Sequence, residues 1–124
     1  MSLSSLSLVL ASVAMSAVAQ ILLKVGMSDP RLQSAVGHLG LGESYARVLM
    51  SPVVIAGLLT YGVGALIWLR ALATLDVSQA YPFVALGFVL TMIFAVIVLG
   101  EPVHATRLAG AALIVAGVVL IGLR

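Results

Sequence analysis

The sequence contains no cysteine, so a disulfide framework and a thiolate metal site are both excluded. Charge is scarce: 8% of the 124 residues are charged, with six Lys or Arg against four Asp or Glu. No basic patch is present, and nothing supports nucleic-acid binding despite a pI near 9.5. No Walker loop, nucleophile–base pair or metal cluster can be read along the chain, and neither enzymatic chemistry nor a cofactor is expected. The most telling absence is local. Residues 6–27 (LSLVLASVAMSAVAQILLKVGM) are long enough to cross a bilayer and carry no acid. Their interior polar groups are Ser12, Ser16 and Gln20, and a single charge, Lys24, stands near the end. A carboxylate in such a position would suit a proton-coupled cation pump; a lysine with hydroxyl and amide groups suits a phosphate.

What is plentiful is apolar surface. Hydrophobic residues make up 63% of the chain, and the mean hydropathy is +1.29. Soluble domains run at about 45–50% apolar and about 25% charged, so an integral membrane protein is expected. Four segments reach span length, near residues 4–27, 52–72, 78–99 and 107–123, and form one all-α domain over residues 1–124. The first connection, residues 28–51, is long. Pro30 should end the first helix, and GESYARVLM (residues 42–50) reads as a short amphipathic helix at the interface. The second connection is tight, so spans two and three form an antiparallel hairpin. The third, GEPVHAT (residues 100–106), is a turn in which Thr106 can cap the last helix.

An even number of spans puts both termini on one side. Lys24, Arg31, Arg47, Glu101 and Arg107 then share one face, and Arg70, Asp76, Arg124 and the terminal amine the other. Four cationic side chains against two weakly favour external termini; insertion in both orientations, giving an antiparallel dimer, stays open. Ala17-Val18-Ala19 looks like a signal-peptidase site. However, no Lys or Arg precedes the apolar run, and the run continues to Met27, so a retained span is expected.

Spans three and four carry a resemblance. Val77-Ser78-Gln79-Ala80-Tyr81-Pro82 is similar to the start of the third helix in small multidrug resistance and related EamA-like drug/metabolite transporters. Leu99-Gly100-Glu101-Pro102 resembles their turn, and the run from Gly110 to Val118 resembles their fourth helix. Drug-exporting members place an essential glutamate eight residues before the lysine of helix one; Ser16 stands there in this chain. A branch similar to the subunits of the aminoarabinose-phosphoundecaprenol flippase fits better. Its members look like this chain in Ser16, Gln20 and Lys24 and in the AYP and EPV turns, residues 80–82 and 101–103. The resemblance implies a dimeric transporter or flippase of the bacterial inner membrane. Its cargo would be a polyprenyl-phosphate-linked sugar or similar amphipath, and its partner a second copy or a related four-helix chain. Alternatives are an exporter of drugs, metabolites or small cations and a non-transporting scaffold subunit.

Candidate residues follow, each with a plainer alternative. A lysine in hydrocarbon costs about 2.5–3.5 kcal/mol, unless it snorkels from a helix end as an anchor. Gln20 and Ser16 lie four and eight residues before Lys24, on one stripe; the three form a phosphate site, or Gln20 bonds a neighbouring helix. Arg70 either anchors at the interface with Trp68, pairs with Asp76, or reads a phosphate. Glu101 either pairs in its turn or binds an amine on the substrate. Tyr81 and Pro82 open span three, Pro82 in the first turn, and Tyr81 faces the cavity in the related transporters. Tyr61 and Thr60 line the same cavity from span two. Gly110, Leu113, Ile114 and Gly117 form the dimer face implied by the resemblance, with packing inside the subunit as the alternative. Gly57, Gly62 and Gly64 serve packing or bending. His38 and His104 sit in different loops.

Overall fold

The computed structural model describes residues 2–38 and 40–123; the expectations placed on Arg124 and on the terminal amine lie outside the described residues. In chain order the helices are α1 (Leu3–Met27), α2 (Pro30–His38), α3 (Leu41–Met50), α4 (Pro52–Leu72), α5 (Val77–Ala80), a 3-10 turn (Tyr81–Phe83), α6 (Val84–Leu99) and α7 (Ala105–Gly122). Four stretches are long and apolar enough to cross a membrane: Leu3–Met27, Pro52–Leu72, Val77–Leu99 and Ala105–Gly122. The protein is a multi-pass membrane protein of four spanning segments.

Helix ends follow local chemistry. Ser2 accepts a hydrogen bond from the Ser5 amide and caps α1. Pro52 opens α4 at a position where a missing N–H costs nothing. Gly100 ends α6 in the left-handed region (φ +69°), where a side chain would be strained. The Glu101 amide then bonds the Ala95 carbonyl at 3.2 Å, and Pro102 prevents continuation.

Three local expectations change. Residues 28–51 hold two helices rather than one: Asp29 accepts from the Arg31 amide at 2.9 Å, so Pro30 starts α2 instead of merely ending α1. Span three begins at Val77, so Pro82 sits well inside it rather than in its first turn. Lacking an N–H, Pro82 cannot bond the Ser78 carbonyl, and the chain tightens locally into the 3-10 turn. Thr106 lies inside the first turn of α7, whose N-cap position belongs to His104 without a side-chain bond.

The spans are packed unequally. Helix α1 lies along α4 and also contacts α6, whereas α7 rests on span three. The buried apolar cluster joins Val9 and Val13 of α1, Ala71 of α4, Phe83 of the 3-10 turn and Val118 of α7. All four spans therefore meet near the end that carries the termini. Toward the other end, among the described residues of the four spans, buried packing continues between α1 and α4, through Ile21, Gly26, Val54 and Gly57, and no residue of α6 is buried.

Candidate functional site

Where the four-span core gives way to the open half, a cleft of about 260 Å³ lies among the first three spans. Helix α1 contributes Ser12, Val13 and Ser16; α4 contributes Tyr61, Gly64, Ala65 and Trp68; span three contributes Tyr81, Val84 and Gly87. Helical spacing explains each group. Positions 61, 64, 65 and 68 fall on one face of α4, and 12, 13 and 16 on one face of α1.

The floor of the cleft is a close helix contact. Ser12 donates from Oγ to the Gly64 carbonyl at 2.7 Å, in a buried bond between α1 and α4. A Cβ at Gly64 would stand 3.3 Å from the Met15 Cβ, so glycine is what lets the two backbones come close. A Cβ at Gly87 would stand in ordinary contact with Val13, 3.4 Å from its Cγ1. Ser12 is thus committed to structure. By contrast, the hydroxyls of Ser16, Tyr61 and Tyr81 carry no hydrogen bond to the described residues and remain free to meet a ligand. Trp68 is half-buried, rests on the core cluster and turns part of its ring surface to the cleft. The lining is therefore aromatic and hydroxylic, with no ionisable acid or base other than the two phenols. Apolar ring faces with a few placed polar groups are the usual make-up of a small-molecule site. Aromatic faces can also attract a cationic amine.

The structure brings together three of the residues picked out from the sequence, Ser16, Tyr61 and Tyr81. Gln20 and Lys24 continue the stripe of Ser16 by one and two turns and are both exposed, outside the cleft lining. Glu101 faces a different hollow, of about 280 Å³, that it shares with Thr91, Met92 and Arg107 between span three and the turn before α7. Arg70 is exposed on α4 and lines none of these clefts. Thr60 uses its hydroxyl within its own helix, donating to the Ala56 carbonyl at 2.8 Å.

On α7, Ile114 packs against the subunit's own core, and Leu113 is 75% exposed. A Cβ at Gly110 or Gly117 would meet nothing within 4 Å, and the same holds for Gly62; Gly57, like Gly64, is a close-packing position, with Leu23 at 3.0 Å. Among the described residues no three His, Asp or Glu side chains gather as a metal site would require.

Sequence reading missed Trp68 as a lining residue and Ser12 as the bond that closes the floor. A signal for Trp68 was present: it lies seven residues, two full turns, after Tyr61. Gly64 lies between them on the same face.

A family model for EamA-like transporters matches residues 1–123. The chain is 41% identical over 118 residues to the probable 4-amino-4-deoxy-L-arabinose-phosphoundecaprenol flippase subunit ArnE of Pseudomonas aeruginosa strain UCBPP-PA14, covering 95% of this chain and 96% of that protein. It is 37% identical over 89 residues to the corresponding probable subunit ArnF of Proteus mirabilis, covering 71% and 67%. It is also 32% identical over 107 residues to an uncharacterised protein, y4nH, of Sinorhizobium fredii, covering 86% and 84%. No solved structure matches.

Proposed function

We propose that this chain, which belongs to the EamA-like transporter family, is a subunit of a flippase that carries a polyprenyl-phosphate-linked sugar across the bacterial inner membrane. The relatives' names supply the cargo class: 4-amino-4-deoxy-L-arabinose-phosphoundecaprenol. The observation that carries the reading to these residues is the acid-free cleft of free hydroxyls and aromatic faces, continued by the stripe of Gln20 and Lys24.

The chemistry divides the cargo into parts. The sugar rests in the cleft, where Ser16, Tyr61 and Tyr81 bond its hydroxyls and the ring of Trp68 covers an apolar face. The phosphate sits toward Lys24, whose ammonium offers three donors, with the Gln20 amide beside it. A phosphodiester next to Lys24 offsets part of the cost of holding either charge away from water. The absence of a carboxylate in span one argues against the proton-coupled cation exchange expected of drug exporters.

A cleft of this size inside one subunit holds a sugar but not the whole headgroup path, which favours a two-subunit assembly. The outward face of α7, with Leu113 exposed and Gly110 and Gly117 unopposed, is the surface for the partner. The relatives carry two distinct subunit names, ArnE and ArnF, which favours a related four-helix chain as that partner. Rocking of the two subunits exposes the headgroup to each side in turn.

The test is transport of a polyprenyl-phosphate amino sugar in proteoliposomes containing the chain, alone and with a related subunit. Lys24→Ala is expected to abolish transport while leaving the assembly intact. Full transport by that variant would remove the phosphate role of Lys24, and no transport with any partner would remove the flippase reading.

A further inference from the structure

A second and larger cleft, of about 540 Å³, lies at the opposite end of the molecule from the core. Its walls are the end of α1 (Leu23, Met27), the start of α4 (Val54, Leu58), and one face of α3 (Leu41, Ser44, Tyr45, Val48, Leu49), with Val36 from α2. The α3 positions fall at i, i+3, i+4, i+7 and i+8, the apolar stripe of an amphipathic helix. Ser44 of that stripe is buried against α2, whereas its large apolar members stay open: Leu41 is 77% exposed, Tyr45 61% and Leu49 54%.

Packing explains why the space persists. Helix α2 packs on α3, tied by the Ser44 Oγ bond to the Ala35 carbonyl at 3.3 Å, and α3 packs on the start of α4. The α2–α3 pair thus stands off from α1. Behind it, α1 and α4 are clamped together at Gly26, where a Cβ would come within 2.6 Å of Val54 Cγ2. A rigid back wall faces an apolar flap across a gap whose size is typical of a small-molecule pocket.

The charge around this gap selects its occupant. Lys24 stands between the lining residues Leu23 and Met27, and Arg31 and Arg47 occupy α2 and α3; all three are exposed. Of the two nearby acids, Asp29 caps α2 through the Arg31 amide, leaving Glu43 as the other acid of the segment. The segment from 24 to 47 is net cationic and borders a predominantly apolar space whose polar lining residues are Ser44 and Tyr45.

We infer that this cleft receives the isoprenoid tail, next to the phosphate, of the same polyprenyl-phosphate lipid. Lys24 serves as the hinge between the two clefts: phosphate at its ammonium, sugar toward Ser16, tail toward Leu23, Met27 and α3. The inference rests on the proposed cargo class but names a separate surface. The α2–α3 pair holds the leading part of the tail against the protein while the rest lies in lipid. A lipid that lacked the phosphate would lose its partner at Lys24, and an anionic lipid with two straight acyl chains would have to fit both into about 540 Å³ or leave one outside.

The test uses the full chain in lipid nanodiscs and a polyprenyl phosphate with a photoreactive diazirine in the first isoprene units. Adducts mapped by peptide mass spectrometry are expected on residues 41–49 and on Leu23 or Leu58. Unlabelled polyprenyl phosphate should displace them and phosphatidylglycerol should not. Leu58→Trp, which fills the gap, should reduce the adducts several-fold. Adducts on exposed positions of the spans such as Leu66 and Ile97 in place of the α3 face would overturn the tail site. So would equal displacement by phosphatidylglycerol, unlabelled α3 because a second copy of the chain covers it, or adducts unchanged in Leu58→Trp. The two readings separate cleanly: transport with adducts elsewhere sinks the tail site alone, and displaceable α3 adducts without transport by any assembly sink the flippase reading alone.

Discussion

Two helices of this protein carry glycines seven residues apart, and the structure treats them in opposite ways. In α4, Gly57 and Gly64 face α1, where a Cβ would come within 3.0 Å of Leu23 and 3.3 Å of Met15. In α7, a Cβ at Gly110 or Gly117 would meet nothing within 4 Å. The difference shows that small-residue spacing marks a helix face suited to close approach without saying what approaches. Lipid tails are as apolar as leucine, so van der Waals fit and interhelical hydrogen bonds, rather than exclusion from water, decide which faces meet. The α1–α4 contact has both, with the Ser12 to Gly64 bond at its centre. The free face of α7 has the small residues alone.

The comparison is broken most forcefully on the α4 side. Gly64→Leu drives a branched side chain into Met15 and the Ser12 carbonyl, both backed by helix. Overpacking of this kind costs roughly 1–3 kcal/mol, and it would also pull the Gly64 carbonyl away from Ser12. The expected result is a clear fall in thermal stability in detergent, followed by the fluorescence of Trp68, which lines the adjacent cleft. A stability equal to that of the parent chain would show that α1 and α4 do not meet as described. Ser12→Ala is gentler. It removes one buried interhelical hydrogen bond, of the order of 0.6–1.5 kcal/mol, and leaves the Gly64 carbonyl its helical partner. Destabilisation smaller than that of Gly64→Leu, with α1 and α4 still in contact by cysteine crosslinking, is expected.

The four spans were legible in the sequence because hydropathy and length are read from one chain segment at a time. Their pairing was not, since spans of similar apolar composition say little about which neighbour each will take. The aromatic face of the cleft was half legible: the resemblance at Ala80-Tyr81-Pro82 pointed to Tyr81, and Tyr61 of span two was placed with it, whereas Trp68 beside Arg70 suits the membrane interface equally well. The segment from residues 28 to 51 was least legible. Pro30 signals both the end of one helix and the start of another, and only the Asp29 side-chain bond to the Arg31 amide decides for the second. The turn at Gly100–Glu101 was read as a turn from its glycine and proline, and the left-handed backbone at Gly100 is the physical reason. Glu101, grouped in the sequence with Lys24 as a potential substrate contact, lines its own hollow with Arg107 instead of the cleft that holds Ser16.

On the α7 side the same kind of substitution should act differently. Gly117→Leu places its side chain in open space, so the fold of the single subunit is expected to keep its stability to within about 0.5 kcal/mol, as for a surface change. If this face meets a second chain, the added side chain holds the two backbones apart and assembly weakens. Crosslinking in membranes between cysteines placed at Leu113 in one chain and along the fourth helix of its partner reads assembly directly. Loss of that crosslink with unchanged subunit stability would mean that the two glycine pairs do the same job, one within the chain and one between chains. Retention of the crosslink in Gly117→Leu would place the partner on another surface. Loss of subunit stability would mean that the glycine face of α7 is already occupied by its own chain, and that the contrast between the two helices is smaller than their surroundings indicate.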